Sequence, residues 1–88
     1  MMTCVALAGY EGYTTHAATD YIGPRTLKEC VDDEGGASCK QRCDDSPSCL
    51  MFGLYQSGSR AGRCCIKFYG PEVGAQSWDE GSHFVKSR

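Results

Sequence analysis

The residues of this 88-residue chain best suited to bond formation, metal binding or catalysis are its seven cysteines. Cysteines at this density in a short chain usually form disulfides in an oxidising compartment. They can also bind a metal, or one spared thiol can act as a nucleophile beside a histidine. Because seven is an odd number, at least one cysteine is free or bonded to another chain. They stand at positions 4, 30, 39, 43, 49, 64 and 65.

Metal binding is the less favoured use of these cysteines. Zinc sites combine ligands in close pairs, and Cys39 and Cys43 have three residues between them, which is within the usual range. The chain has no CxxC pair, and no second pair of similar form completes a site, although the adjacent Cys64 and Cys65 keep the alternative open. We therefore expect neither a metal nor another cofactor.

Catalysis is also not expected from the histidines and carboxylates. A nucleophilic cysteine would need His16 or His83 within reach, and single histidines on a small sheet are more often structural or surface residues. The acidic runs at 32–34 and 44–45 lie beside turns or on the polar face of a predicted helix, where solvated charge explains them. We therefore predict that the chain is not an enzyme.

Length, charge and hydropathy narrow the class of protein. A net charge of -2 argues against nucleic-acid binding, and nothing approaches a transmembrane span. No repeat or linker divides residues 1–88, which predicts a single domain. A core of this size is marginal without covalent support, so the cysteines predict a secreted, disulfide-rich protein. That localisation rests on the cysteines alone, because the N-terminus lacks a complete signal peptide.

A short helix should position two of the cysteines. Cys39 and Cys43 are four residues apart and therefore share one face of a helix. Ser38 is the predicted N-cap, and Pro47 ends the helix. Such a short helix is unstable alone in water, and two covalent anchors on its inner face would stabilise it.

Strands should position the remaining cysteines. The apolar segments 49–55 and 64–69 predict a hairpin with a basic loop, in which Cys64 and Cys65 point to opposite faces. Residues 3–22 predict short strands, 82–86 predict a final strand, and 70–81 predict a loop. Residues 26–29 have the form of a capping box for a helix over 27–33, but Cys30 and Val31 fit an edge strand equally well.

The cysteine pattern resembles that of the PAN/Apple domain, a disulfide-rich extracellular module. The resemblance is carried by CKQRCDDSPSC, by Phe52, and by the strand that contains Cys64, Ile66 and Lys67. GYTTHAATDYIG and GSHFVK are similar to the opening and closing strands of that family. The tight match covers residues 38–67. The resemblance implies an α+β fold, in which one short helix packs on a disulfide-stapled antiparallel sheet.

The same resemblance implies two disulfides, Cys39–Cys64 and Cys43–Cys49. The cysteines left over are Cys4, Cys30 and Cys65. Cys4, near a terminus, is the natural candidate for an unpaired or intermolecular cysteine, which leaves Cys30–Cys65 as a third disulfide. Pairing of Cys4 with Cys30 or with Cys65 is only slightly less favoured.

Function follows from the resemblance as an expectation: recognition of a protein or carbohydrate ligand without chemistry. Aromatic and basic residues are typical of recognition surfaces, although each can also cover the core or lie solvated in a turn. One alternative is a structural subunit that assembles with copies of itself into an extracellular filament or array. A weaker alternative is a disulfide-rich inhibitor or effector. The candidate ligand contacts are Tyr55, Arg60, Arg63, Lys67, Tyr69, Trp78 and His83.

Overall fold

The computed structural model describes residues 9–87, and this part of the chain has an α+β fold. It contains seven short strands, one α-helix and two single turns of 3-10 helix. No helix within the described range is long and apolar enough to cross a membrane. In chain order the elements are β1 (Tyr13–His16), β2 (Thr19–Tyr21), a 3-10 turn (Arg25–Leu27), β3 (Lys28–Val31), α1 (Gly36–Asp44), β4 (Met51–Tyr55), β5 (Cys64–Lys67), a second 3-10 turn (Pro71–Val73), β6 (Ala75–Ser77) and β7 (Gly81–Lys86).

Five of the strands form one antiparallel sheet in the order β1-β7-β4-β5-β3. The predicted hairpin is confirmed, because β4 pairs with β5 and places Gly53 opposite Cys65. The predicted final strand is also confirmed, and it lies inside the sheet, between β4 and β1. The strands β2 and β6 pair separately as a two-stranded sheet.

One face of the five-stranded sheet packs against the helix α1. Cys39 and Cys43 on α1 are fully buried there against Phe52, Ile66 and Phe84 from three neighbouring strands. The Phe52 and Phe84 rings are stacked, with centroids 5.0 Å apart. Side chains alternate between the two faces of a strand, so the neighbours of these residues point to the opposite face. The alternation of side chains along the strands therefore places the apolar residues of the main core on the side of the sheet that faces α1.

The helix begins three residues earlier than the sequence predicts, and the assignment of Ser38 as its N-cap is wrong. Gly35 precedes the first helical residue and has a φ of 79°, a left-handed conformation that glycine adopts without strain. Ser38 lies inside the first turn, and its hydroxyl donates to the Glu34 carboxylate at 3.4 Å. Gly35 and Gly36 therefore mark the start of this helix.

Three disulfides connect the described cysteines. Cys39–Cys64 and Cys43–Cys49 anchor α1 to the sheet and to the segment before β4, with the pairing that the resemblance implies. Cys30–Cys65 joins two directly opposed residues of β3 and β5 on the other face. Adjacent cysteines in β5 therefore serve both faces of the sheet. Cys4 lies outside the described residues.

Two segments between these elements differ from the sequence prediction or decide between its alternatives. A single 3-10 turn precedes β3, so Cys30 and Val31 lie in an edge strand and no helix spans 27–33. The predicted loop 70–81 contains a strand, β6, whose three residues are all exposed. Because no apolar alternation marks β6, the sequence gives no signal for it. Its backbone pairs with β2.

Candidate functional site

The face of the sheet that points away from the helix carries a cleft. Its floor is a cross-strand row in which Gly53 on β4 lies between Cys65 on β5 and His83 on β7. Gly53 leaves the space that the imidazole of His83 occupies, because a Cβ atom there would lie 2.6 Å from that ring. Glycine at the centre of this strand is therefore required by the close approach of a neighbouring side chain.

The cleft has a volume of about 280 Å³, and its lining comes from five strands, from the first 3-10 turn and from the loops that adjoin them. This volume is near the lower end of the range for small-molecule sites. The walls combine two aromatic side chains, three basic side chains and one carboxylate, which is a mixed polar and apolar surface. The charged, aromatic and imidazole side chains of the lining are Asp20, Arg25, Lys28, Tyr55, Lys67, Trp78 and His83.

A buried hydrogen-bonded group forms one end of the cleft. The ammonium of Lys67 donates to the Tyr21 carbonyl at 2.7 Å and to Nε2 of His83 at 2.7 Å. Because an ammonium can only donate, Nε2 accepts, and Nδ1 of His83 donates to the Thr19 carbonyl at 2.9 Å. The Asp20 carboxylate lies 3.6 Å from the same ammonium. The geometry thus assigns a charged lysine and a neutral histidine.

The pKa values of both groups agree with that assignment. The pKa of Lys67 is lowered to about 8, mainly by burial; Asp20 opposes this shift and the nearby Lys28 adds to it. Burial also lowers the pKa of His83 to about 4, and the positive charge of Lys67 acts in the same direction. At neutral pH the lysine is therefore mainly protonated and the histidine is uncharged.

The aromatic wall of the cleft consists of Tyr55 and Trp78. Their rings meet edge to face, with centroids 4.8 Å apart, and both side chains are half-buried. Trp78 also lies 5.7 Å from the ring of His83, measured between centroids. A Cβ atom at Gly81 would clash with the indole, so this glycine provides the space for the ring. The wall is thereby fixed to β4 and β7.

Two exposed cations form the rim on the opposite side. Arg25 belongs to the first 3-10 turn, and Lys28 begins β3. Within residues 9–87, neither side chain has a carboxylate within 4.0 Å, since neither occurs in an ion pair. Lys28 stands directly opposite Lys67 in the β3–β5 register. Two like charges are therefore neighbours across these strands, an arrangement that is unfavourable by itself.

Four of the seven predicted contact residues come together in this cleft: Tyr55, Lys67, Trp78 and His83. Tyr69 is buried beside it, and its hydroxyl donates to the Tyr21 carbonyl at 3.2 Å, so its ring belongs to the core beneath the site.

The other two predicted residues, Arg60 and Arg63, lie at a second and separate cavity of about 410 Å³, between the β4–β5 loop and the loop before α1. Arg63 is paired with Asp32 at 2.6 Å. The two arginines there face two carboxylates, Asp32 and Asp33, so the charges balance. Within residues 9–87, no aromatic residue lines this cavity. It therefore offers less for recognition than the cleft does.

Sequence reasoning did not identify Asp20, Arg25 and Lys28 as site residues. They lie in short segments without a motif, and the strand register alone brings them to the cleft. A usable signal was the excess of basic over acidic residues at 25–28, immediately after Gly23-Pro24, a dipeptide typical of turns.

A group with ligand-type side chains lies on the helix side of the sheet. It consists of Glu34, Cys39 and Cys64, whose ligand atoms lie within 4.8 Å of one another. The two sulfur atoms are joined in a disulfide, so they are not available as thiolates. This group therefore offers a metal one carboxylate.

Comparison with known proteins assigns neither a family nor a ligand. No protein-family model matches the chain, and no curated protein is similar to it at a significant level.

Proposed function

We propose that this chain is a non-enzymatic extracellular recognition module of the PAN/Apple type, which binds a protein or carbohydrate ligand in the cleft. The observation that carries the proposal is the wall of Tyr55 and Trp78 facing a set of charged hydrogen-bonding groups across a concave surface. Concave sites with aromatic surface and a few polar groups are typical of ligand binding.

The covalent framework supports the extracellular part of the proposal. Three disulfides are typical of small secreted proteins, because a core of this size is stabilised by them and cytosolic thiols are kept reduced. Two of them fix the helix, and the third fixes β3 at the side of the cleft. The site is thus held by a rigid scaffold, which reduces the entropy lost when a ligand binds.

The internal hydrogen bonds support binding without chemistry. A general base needs a free lone pair that can reach a substrate proton. Nε2 of His83 accepts from Lys67, and Nδ1 donates to a backbone carbonyl. The Lys67 ammonium in turn donates to the histidine and to the Tyr21 carbonyl. The two groups that would serve as base or nucleophile are thus engaged in holding the floor of the cleft.

One free edge of the five-stranded sheet, β3, gives less support to assembly into a filament. β3 is an edge strand of only four residues and carries Lys28 and Glu29. Short, charged edge strands oppose pairing with another chain. Light scattering of the purified protein over a range of concentrations separates the two functions, since open-ended growth would support assembly and a constant small mass would support the recognition module.

The proposed function can be tested through the single tryptophan of the chain, Trp78. We expect fluorescence titration with a set of neutral and acidic oligosaccharides to identify a ligand that changes the Trp78 emission. Amide chemical shifts of the labelled protein should then change around the cleft. Tyr55→Ala should weaken binding, whereas Arg60→Gln, which lies at the other cavity, should not. Chemical-shift changes confined to surfaces outside the cleft would contradict the proposal.

A further inference from the structure

We propose that the cleft recognises an anionic saccharide, a polyhydroxylated ligand that bears a carboxylate or sulfate group. This inference rests on the proposed function and specifies the ligand class of the same site. It rests on three observations: the charges that line the cleft, the absence of ion-pair partners for its exposed cations in the described chain, and the single carboxylate among them.

The cleft is positive although the chain as a whole is negative. Arg25, Lys28 and Lys67 line it together with one carboxylate, that of Asp20, whereas the net charge of the chain is -2. Concave surfaces of one sign concentrate ligands of the opposite sign. The excess of basic groups therefore selects for an anion.

The arrangement of these charges leaves a repulsion that an anion would relieve. Lys28 and Lys67 are directly opposed across β3 and β5. Asp20 lies near Lys67, at 3.6 Å, and so compensates the buried member of this pair. In the described chain, Arg25 and Lys28 have no carboxylate in ion-pair range. A bound anion between them would supply the missing counter-charge through charge-assisted hydrogen bonds.

Asp20 also distinguishes a saccharide from a compact anion such as phosphate. A carboxylate accepts hydrogen bonds and repels negative charge, so it favours a hydroxyl group beside the anionic group. The half-buried rings of Tyr55 and Trp78 add an apolar wall, against which the C–H groups of a sugar ring can pack. A ligand with both hydroxyls and one acidic group matches all three parts of the lining.

An acidic peptide fits these observations less well. Extended peptides are commonly bound by adding a strand to a free sheet edge, where backbone groups supply the hydrogen bonds. The cleft lies on the face of the sheet, and its polar groups belong to side chains such as Asp20, Lys28 and Lys67. We therefore expect a ligand whose hydroxyl and acidic groups, and not a peptide backbone, contact the concave face of the sheet.

Three probes test this inference: a tetrasaccharide of galacturonic acid, its methyl ester, and a sulfated glucose tetrasaccharide. Binding is measured by Trp78 fluorescence and by calorimetry at low ionic strength, with Arg25→Gln, Lys28→Gln and the matched control Arg60→Gln. We expect at least one anionic probe to bind, and the carboxylate and sulfate arms identify its acidic group. Each cleft variant should weaken that binding about fivefold to tenfold, because one charge-assisted contact is lost. Arg60→Gln should leave it within about twofold.

The outcomes separate this inference from the proposed function. Methyl ester binding as strong as that of the acid, and weakened by Tyr55→Ala, would overturn the anionic selectivity while supporting a saccharide site. Equal losses in all three charge variants would overturn the cleft as the source of selectivity. If none of the three saccharides bound, the inference would be wrong, and the proposed function would then depend on the wider titration described above.

Discussion

Lowering the pH from 7 to 5 is expected to destabilise this protein, because His83 is buried as a neutral side chain. Burial and the adjacent Lys67 ammonium lower the pKa of His83 to about 4 in the folded protein, against an ordinary value of 6.5. Between these two values the unfolded chain binds a proton that the folded chain does not. Stability is therefore retained above pH 6.5 and lost as the pH falls towards 4.

The size of the effect follows from the two pKa values. With these values the histidine alone lowers the free energy of unfolding by about 2 kcal/mol between pH 7 and pH 5. This is a large part of the stability of a small domain. The titratable side chains around His83 are Lys67 and Asp20, at 2.7 and 3.9 Å from Nε2, and His16, which stands directly opposite it in the β1–β7 register.

Guanidinium unfolding at pH 7 and pH 5, followed by circular dichroism and Trp78 fluorescence, measures this change. His83→Gln removes the titrating group while its amide can still donate to the Thr19 carbonyl and accept from Lys67. His16→Gln is the comparison variant, because it removes the other histidine, which stands directly opposite His83 in the β1–β7 register and is hydrogen-bonded to the Tyr21 hydroxyl. We expect His16→Gln to keep the extra loss of about 2 kcal/mol and His83→Gln to lack it.

If the wild-type protein and His83→Gln lost equal stability between the two pH values, His83 could not be enclosed next to a charged lysine. An NMR titration in which the chemical shifts of the His83 ring protons change with a midpoint near pH 6.5 would lead to the same conclusion.

Two substitutions test other close contacts. Gly53→Ala should lower the free energy of unfolding by about 1–3 kcal/mol, since its Cβ atom would lie 2.6 Å from the enclosed ring of His83; unchanged urea unfolding would contradict this contact. Arg42→Met should cost about 3 kcal/mol, because Glu34, with 8% of its side chain exposed, would lose a partner at 2.7 Å. Adding Glu34→Gln to Arg42→Met should recover much of that loss, and a double variant as unstable as the single one would show that the ion pair is not the cause.

The sequence predicted those parts of the fold that depend on local spacing. The separation of Cys39 and Cys43 indicated a helix with one inner face, and the adjacent Cys64 and Cys65 indicated a strand attached on both faces. The start of the helix was not predictable from Ser38, because the positive φ of Gly35 fixes where the chain turns. A strand as polar and exposed as β6 carries no periodic signal and is defined only by its partner.

The candidate site was predictable only in part, for a related reason. Aromatic and basic residue types identified Tyr55, Lys67 and Trp78, which the fold brings together. Arg63 has the same character in the sequence, yet its partner Asp32 lies 31 residues away and neutralises it. Long-range pairing of this kind depends on strand register, which one sequence without relatives does not reveal.

The order of the disulfides has a mechanical consequence. The loops are nested, with Cys43–Cys49 inside Cys39–Cys64 and both inside Cys30–Cys65. Tension on the chain at either side would therefore peel away β1, β2, β6 and β7 while the segment 30–65 stayed closed. The two outer segments, 9–29 and 66–87, would release roughly 150 Å of extended chain before the disulfide Cys30–Cys65 came under load. A reducing agent would open the disulfides and increase the length of chain that can be extended. The redox state of the surroundings therefore sets how far the protein can be stretched.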